Sequence, residues 1–238
     1  MAEHDIEEKI ESLRQIQMEI GPCEVITGGR DKKRFLLYQL ELSMLKAERI
    51  DMIVSFLMES GVRMILDDLE QALKRGVKIR ILTGNYLGIT QPGALCLIKD
   101  RLGGQVDLRF YNEKGRSFHP KAYIFRRKDF GEIYIGSSNV SRSALTSGIE
   151  WNYHFDDRRD SQSFHQFCNT FEDLFYNHSI IINDEVLKQY SREWKRPAVA
   201  RDLEQYDSFE AEADTETEYQ PRGAQIEALY ALKNSRME

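Results

Sequence analysis

An alternation of strand and helix patterns between residues 49 and 111 constrains the fold most strongly. "RIDMIVSF" at 49–56 is a compact apolar run of the strand type, and "VKIRILTG" at 77–84 and "QVDLRFY" at 105–111 are two more. The segments between these strand patterns have the pattern of amphipathic helices. The apolar face of the first helix consists of Val62, Ile65, Leu66, Leu69 and Leu73. Strand, helix, strand, helix, strand with short connections predicts a parallel sheet core with right-handed crossovers.

The next segments predict that this core extends into a mixed sheet. "KAYIF" and "EIYIG" are strand patterns joined by a turn through "RRKDFG", and "IEWNYHF" alternates as a further strand. Two helical patterns follow, "SQSFHQFCNTFEDLFYNHS" and "DEVLKQYSREW". With 238 residues, 41% of them hydrophobic, the chain is long enough for one well-buried domain with appendages. The predicted fold class is therefore α/β, a mixed sheet flanked by helices.

Four regions are predicted along the chain. Residues 1–29 form an amphipathic helix and a lead-in, with the helical stripe Ile6, Ile10, Leu13, Ile16 and Ile20 ending at a Gly-Pro pair. Residues 30–195 form the main domain. Residues 196–218 are predicted to be an acidic linker, since eight Asp/Glu stand against one Arg from Arg201 to Glu218. Residues 219–238 begin a further segment.

The composition favours a cytoplasmic protein without a membrane partner. No stretch approaches 18 consecutive apolar residues, and the acidic start "MAEHDIEEKIESLRQ" is unlike a secretory signal. Three widely spaced cysteines, Cys23, Cys96 and Cys168, form a poor disulfide framework and a poor zinc site, so free buried thiols are expected.

One polar constellation stands out between residues 116 and 155. His119 and Lys121 alternate at the start of a predicted strand, so both side chains leave the same face. Ser137 and Asn139 follow the next strand within "GSSN", and Glu150 begins the strand after that. An imidazole serves as nucleophile or proton shuttle near neutral pH, and an ammonium group attracts phosphate oxygens.

The remaining groups complete a site for a phosphodiester. The side chains after the second strand can donate hydrogen bonds, and the amides that open the following helical "SRSAL" segment favour an anion. A carboxylate behind the imidazole would hold one ring nitrogen and leave the other free. Taken singly, each of these features is more often an ordinary surface residue or turn, and only their conjunction favours a site.

The segment resembles the phospholipase D superfamily motif, His-x-Lys followed by Gly-Ser-x-Asn and a later acidic residue. The likeness covers roughly residues 30–177. It implies metal-independent attack by His119 through a covalent phosphohistidine, with Lys121, Ser137 and Asn139 on the phosphate oxygens and no cofactor. The family's usual Asp, five residues after the Lys, falls on Arg126 here. Family members use two motif copies, and this chain has one, so the resemblance implies a homodimer with the active site at its interface.

The substrate stays open between two classes. Eight Lys/Arg stand against three acids from Arg109 to Arg142, which suits DNA. The predicted DNA contacts are Arg116, Arg126, Arg127, Lys128 and Arg142, although the Arg-Arg-Lys triplet is equally well read as a solvated hairpin. The alternatives are a phospholipid phosphodiesterase or transferase, and a non-catalytic DNA-docking or dimerisation module.

The last segment suggests a larger context. "YQPRGAQIEALYALKNSRME" has an aromatic residue, Pro221, Gln225 and an amphipathic helix, and it resembles the segment before the ATP-binding loop of superfamily 2 helicases. A plain amphipathic helix explains the same residues equally well. The resemblance implies a nuclease domain from a bacterial helicase of restriction type, with the helicase motor as partner.

Overall fold

The computed structural model describes residues 11–12, 15, 25–28, 34–213 and 223–235. The strands are β1 (Val25–Ile26), β2 (Arg49–Val54), β3 (Lys78–Thr83), β4 (Val106–Tyr111), β5 (Lys121–Arg126), β6 (Gly131–Gly136), β7 (Asn152–Asp156) and β8 (Ser179–Ile181). The helices are α1 (Leu36–Lys46), α2 (Glu59–Lys74), α3 (Pro92–Leu102), α4 (Arg142–Leu145), α5 (Ser161–Asn177), α6 (Asp184–Glu193), α7 (Ala198–Ala213) and α8 (Ala224–Ser235).

All eight strands form one mixed sheet in the order β1-β7-β6-β5-β2-β3-β4-β8. The pairs β2–β3 and β3–β4 are parallel and the other pairs are antiparallel. The predicted parallel core and its mixed extension are therefore confirmed. The central strands are almost wholly buried because helices cover both faces.

The two faces of the sheet bury different side chains. Ile50 and Met52 face a core formed with α1, α2 and α3, and Phe125 from β5 joins it. Ile53 and Leu82 point the other way, into an aromatic core formed with α5. The alternation follows from the two-residue period of a strand. It fixes which face each residue of the motif can reach.

A buried ion network lies on the α5 face. Asp51 is 2% exposed and accepts two hydrogen bonds from Arg80, at 2.7 Å from Nε and 2.9 Å from Nη2. Glu172 of α5 also accepts from the Arg80 guanidinium, at 2.7 Å. The Arg80 cation and the Asp51 carboxylate depend on each other, because either charge buried alone would be strongly destabilising.

The C-terminal part departs from the sequence interpretation. The predicted acidic linker is a helix over Ala198–Ala213, and its first turns pack on the domain: Ala200 is buried and Leu203 contacts Phe56, Met58 and Ile89. Asp207 is also buried. Apolar residues on one helical face, which the acidic composition masks, account for the difference.

Some of the other predictions concern residues that the structure does not describe. The predicted helix over residues 6–20 lies mostly outside the described residues. Ala224–Ser235 forms α8, which buries Ile226 against the core. Cys96 and Cys168 are buried free thiols, while Cys23 lies outside the described residues. Within the described part of the chain, no helix is long and apolar enough to cross a membrane.

Candidate active site

The predicted catalytic residues come together at one edge of the sheet, which we call the site edge. Because β5 runs antiparallel to both β2 and β6, Lys121 at its start lies opposite Val54 at the end of β2, and Ala122 pairs with Ile135 near the end of β6. Gly136 pairs with Asn152 at the start of β7. The segments that carry the predicted catalytic side chains therefore meet there.

His119 and Lys121 are in direct contact. The Lys121 Nζ lies 2.7 Å from His119 Nδ1 and 2.9 Å from Nε2, and it donates to the His119 carbonyl at 3.0 Å. Lys121 is 6% exposed, whereas His119 is exposed. The ammonium group is thus fixed beside an imidazole that a substrate can reach.

Partial burial and a neighbouring positive charge both favour the neutral form of the His119 ring. Its pKa is lowered, first by partial desolvation and second by the positive charge of Lys121. The pKa of Lys121 is also lowered by burial, an effect that the nearby Glu150 carboxylate opposes. A neutral imidazole carries a lone pair on one ring nitrogen, which a nucleophile requires.

Glu150 does not contact His119, which corrects the sequence interpretation. Its Oε2 accepts a short hydrogen bond from Ser137 Oγ. Ser137 is also tied to the start of β7, since its Oγ accepts from the Trp151 amide at 2.9 Å. Glu150 therefore orients Ser137 and acts on Lys121 through charge, and the His119 ring is held by other groups.

Asn139 is held by the end of β2. Its Oδ1 accepts from the Phe56 amide at 3.2 Å, and the side chain is 6% exposed. With the oxygen used in this way, the Nδ2 group is the part of the amide left to donate. An isolated parallel bridge between Leu57 and Val140 fixes the two segments together.

The backbone amides after "GSSN" do not form the predicted anion site. The amides of Arg142 and Ser143, which open α4, donate to Ser60 Oγ at 3.3 Å and to Asp207 Oδ1 at 2.9 Å. The next amide, of Ala144, donates to Ser141 Oγ at 3.3 Å. These donors are satisfied within the chain, so the prediction for this helix start is wrong.

The predicted DNA-contacting residues divide between the two edges of the sheet. Arg126 ends β5 and Arg127 and Lys128 follow it, so this hairpin lies roughly 17 Å from Lys121 along a six-residue strand. Arg127 forms an ion pair with the buried Glu132 and stacks on Phe130. These positions therefore lie at the opposite end of β5 from Lys121, and their contact with DNA stays a prediction.

The other two cations lie on the site side. Arg116 is exposed in the loop before His119 and pairs with Glu113 at 3.0 Å. Arg142 begins α4, three residues after Asn139. Arg126, which stands where the family has Asp, lies over the Phe164 ring at 5.7 Å. That position is thus part of the α5 face rather than of the phosphate site.

Sequence reasoning missed one residue of the site, Tyr86. It lies in a short 3-10 turn (Tyr86–Gly88) after β3, and its ring centroid is 4.4 Å from that of His119. The signal available in the sequence was topological: β3 is parallel to β2, so the residues after both strands reach the same edge. No group of three or more His, Cys, Asp or Glu among the described residues could hold a metal.

This fold and this arrangement of His, Lys, Ser and Asn define a phospholipase D-like domain. The chain belongs to that family: the family model described as "Cardiolipin synthase, PLD-like domain" matches residues 42–175. The match contains the whole predicted catalytic constellation from His119 to Glu150.

Solved structures of other proteins match parts of this chain. NucT from Helicobacter pylori has 15% identity and a TM-score of 0.48, with 62% of this chain and 91% of that chain covered. Phosphatidylserine synthase of Haemophilus influenzae Rd KW20 has 14% identity and a TM-score of 0.51, covering 79% of this chain and 45% of that one. Polyphosphate kinase from Porphyromonas gingivalis has 13% identity and a TM-score of 0.52, covering 83% and 31%. A comparison with curated proteins finds no match.

Proposed function

We propose that the chain is a metal-independent phosphodiesterase that cleaves DNA at a site shared by two copies. One observation carries the proposal: His119, Lys121, Ser137 and Asn139 gather at the site edge, with the imidazole exposed and the ammonium group in contact with it. Phosphoryl transfer needs a neutral nucleophile, a fixed positive charge and a hydrogen-bond donor, and His119, Lys121 and Asn139 can supply them.

The proposed reaction has two displacements. A neutral His119 ring nitrogen attacks phosphorus, the N–P bond forms, and the bond to the leaving oxygen breaks. The second copy's His119, in its protonated form, donates its proton to that oxygen. Water then attacks phosphorus and gives a proton to this second imidazole, the N–P bond breaks, and both rings return to their starting states.

The neighbouring groups stabilise charge on the phosphate. Lys121 supplies a point charge for a non-bridging oxygen, and the Asn139 Nδ2 donates to another. The hydroxyl proton of Ser137 is donated to Glu150, so Ser137 contributes by holding that carboxylate near Lys121. Since Phe56 holds the Asn139 oxygen at 3.2 Å, the amide is oriented before substrate arrives and little reorganisation is needed.

The second copy is proposed to dock beside Glu150. Ile149 is 86% exposed and Trp151 is 73% exposed, and these two residues flank the carboxylate. Val25 and Tyr153, paired across β1 and β7, extend the surface and are 58% and 40% exposed. We call these four residues the apolar rim. A rim continuous with a site that has one motif copy suits a C2 contact, in which the same surface meets itself.

DNA is the favoured substrate because of the local charge. Arg116 lies in the loop before His119, and Arg142 closely follows Asn139 in the chain, so the segments that carry the proposed site also carry two cations. The cations of the hairpin at 126–128 lie at the opposite end of β5 and are not counted in this argument. A helicase motor in the same protein is a further proposal, which rests on the segment around Gln225.

A phospholipid phosphodiester is a second candidate. The observation in its favour is the apolar rim, since exposed Trp151 and Ile149 beside a phosphate site also suit a lipid surface. The two candidates differ in what the rim contacts. Vesicles with a phospholipid substrate, offered beside DNA at equal phosphodiester concentration, distinguish them.

The test is a cleavage assay in excess EDTA with His119→Ala as the matched variant. The proposal expects EDTA-resistant cleavage of DNA or of bis(p-nitrophenyl) phosphate, and its loss in the variant. A rate that falls to background when EDTA is added would refute metal independence. Full activity of His119→Ala would remove the assignment.

A further inference from the structure

The loop that carries Tyr86 is held down from the C-terminal side. We call residues 84–90 the Tyr86 loop. Tyr190 on α6 donates to Asn85 Oδ1 at 2.8 Å and lies 2.6 Å from the Thr90 carbonyl oxygen. Trp194, just after α6, donates from Nε1 to the Gly88 carbonyl at 2.7 Å.

A further contact and a residue in the left-handed region also belong to this loop. Leu203 of α7 packs with Tyr86 against the buried cluster of Phe56, Met58 and Ile89. Leu87 has φ +52°, in the left-handed region that non-glycine residues rarely adopt. Such a conformation persists only where surrounding contacts stabilise it.

This loop places the Tyr86 ring on the His119 imidazole. The ring centroids are 4.4 Å apart at an interplanar angle of 55°, a tilted aromatic contact. Lys121 contacts the two ring nitrogens of the same imidazole. Since Glu150 bonds to Ser137, the tyrosine and the lysine are the two described side chains that orient the His119 ring.

We propose that Tyr86 is a positioning residue that fixes the ring plane of His119, and that Tyr190 and Trp194 act by holding the loop in place. The inference rests on the proposed function for its kinetic part only. The contact itself concerns the imidazole and can be measured without substrate.

The contact between Tyr86 and His119 should be measurable through the pKa of the imidazole. Lys121 on β5 and Tyr86 on the loop are the groups that face the imidazole, and Glu150 faces the lysine. Burial is the larger cause of the lowered His119 pKa, ahead of the lysine charge. Removing the tyrosine ring exposes the imidazole and leaves the lysine, so the pKa of His119 should rise.

The experiment measures the His119 pKa by NMR of protein labelled at histidine Cε1, with the His119 signal assigned by its loss in His119→Ala. Tyr86→Ala is expected to raise this pKa and to lower kcat about 10- to 100-fold with little change in KM. Tyr86→Phe keeps the ring and is expected to keep both values. Tyr190→Phe loosens the loop and should change both in the same direction as Tyr86→Ala, but less.

The matched control is Tyr206→Ala, since Tyr206 is 65% exposed on α7 and its loss should change neither quantity. An unchanged His119 pKa in Tyr86→Ala and Tyr190→Phe would overturn the inference, with or without activity. A raised KM at unchanged kcat would assign Tyr86 to substrate contact instead, which also overturns it. If the pKa rises while no variant, wild type included, cleaves any phosphodiester, the proposed function fails and the contact stands.

Discussion

A Trp151→Glu substitution tests whether two copies meet at the site edge. Trp151 is 73% exposed, directly after Glu150, and its backbone amide donates to Ser137. The substitution leaves that backbone hydrogen bond in place and puts a carboxylate on the apolar rim. In a C2 dimer it also brings two new negative charges close to the symmetry axis, where like charges repel.

The size of the effect follows from the exposed area. Tryptophan presents about 150–250 Å² when fully accessible, so roughly 110–180 Å² of Trp151 is available to a partner at its 73% exposure. At about 25 cal/mol per Å², covering it contributes up to about 3–4 kcal/mol per copy. Loss of about 3 kcal/mol in total, which is half of the two-copy maximum or less, weakens dimerisation more than about 100-fold.

Sedimentation equilibrium and the cleavage assay, run on the same samples over a protein dilution series, measure the effect. We expect Trp151→Glu to be monomeric at concentrations where the wild type is dimeric, and its activity to fall in parallel with the dimer. Leu229→Glu on α8 is the matched control, since that leucine is 55% exposed but remote from the site motif in the chain. A monomeric wild type that is fully active would refute the shared site, and an unchanged dimer in Trp151→Glu would refute the rim as its interface.

Two further predictions concern buried polar groups. Asn139→Ala leaves the Phe56 amide without its acceptor at 3.2 Å. We therefore expect a loss of about 1–3 kcal/mol in the free energy of unfolding, measured by urea unfolding, together with loss of cleavage. Full cleavage activity would contradict the role of Asn139 Nδ2. Asp51→Ala leaves Arg80 buried with one partner fewer, so we expect a loss of about 3–5 kcal/mol. Asp67→Ala, whose carboxylate is 55% exposed in its pair with Arg101, should cost under about 1 kcal/mol, and equal losses in the two variants would contradict the buried-pair account.

The sheet was predictable because its central strands are long apolar runs separated by amphipathic helices. β2 and β3 each have six residues with five buried, so the pattern is strong. β1 has two residues and β8 has three. A strand that short contains at most one repeat of the two-residue period, and its pairing depends on the neighbouring strand rather than on its own sequence.

The site was predictable as a set of residues but not as a set of contacts. His119 and Lys121 share a face because they alternate on one strand, and that geometry follows from the sequence. The partner of Glu150 depends on the register of β6 and β7, which brings Ser137 to the start of β7. Tyr86 contacts His119 from a loop to which α6 and α7 are bound, a tertiary arrangement that no local pattern encodes.

The acidic stretch after residue 196 shows how composition can mislead. Its charge predicts a solvated linker, yet Leu203 packs on the domain and Asp207 accepts from the Ser143 amide at 2.9 Å. A few contacts on one face are enough to fold a segment whose average composition is polar. The same contact occupies the Ser143 amide, one of the three donors at the start of α4 that could otherwise face a phosphate.

The most direct measurement of the central claim is the stereochemical course of cleavage at a chiral phosphorothioate diester, followed in excess EDTA and in water with heavy oxygen, which keeps phosphorus stereogenic in the product. Each in-line displacement inverts the configuration at phosphorus. The covalent phosphohistidine on His119 requires two displacements, so the account predicts net retention. Net inversion would show a single attack by water on the substrate and would contradict the proposed nucleophile.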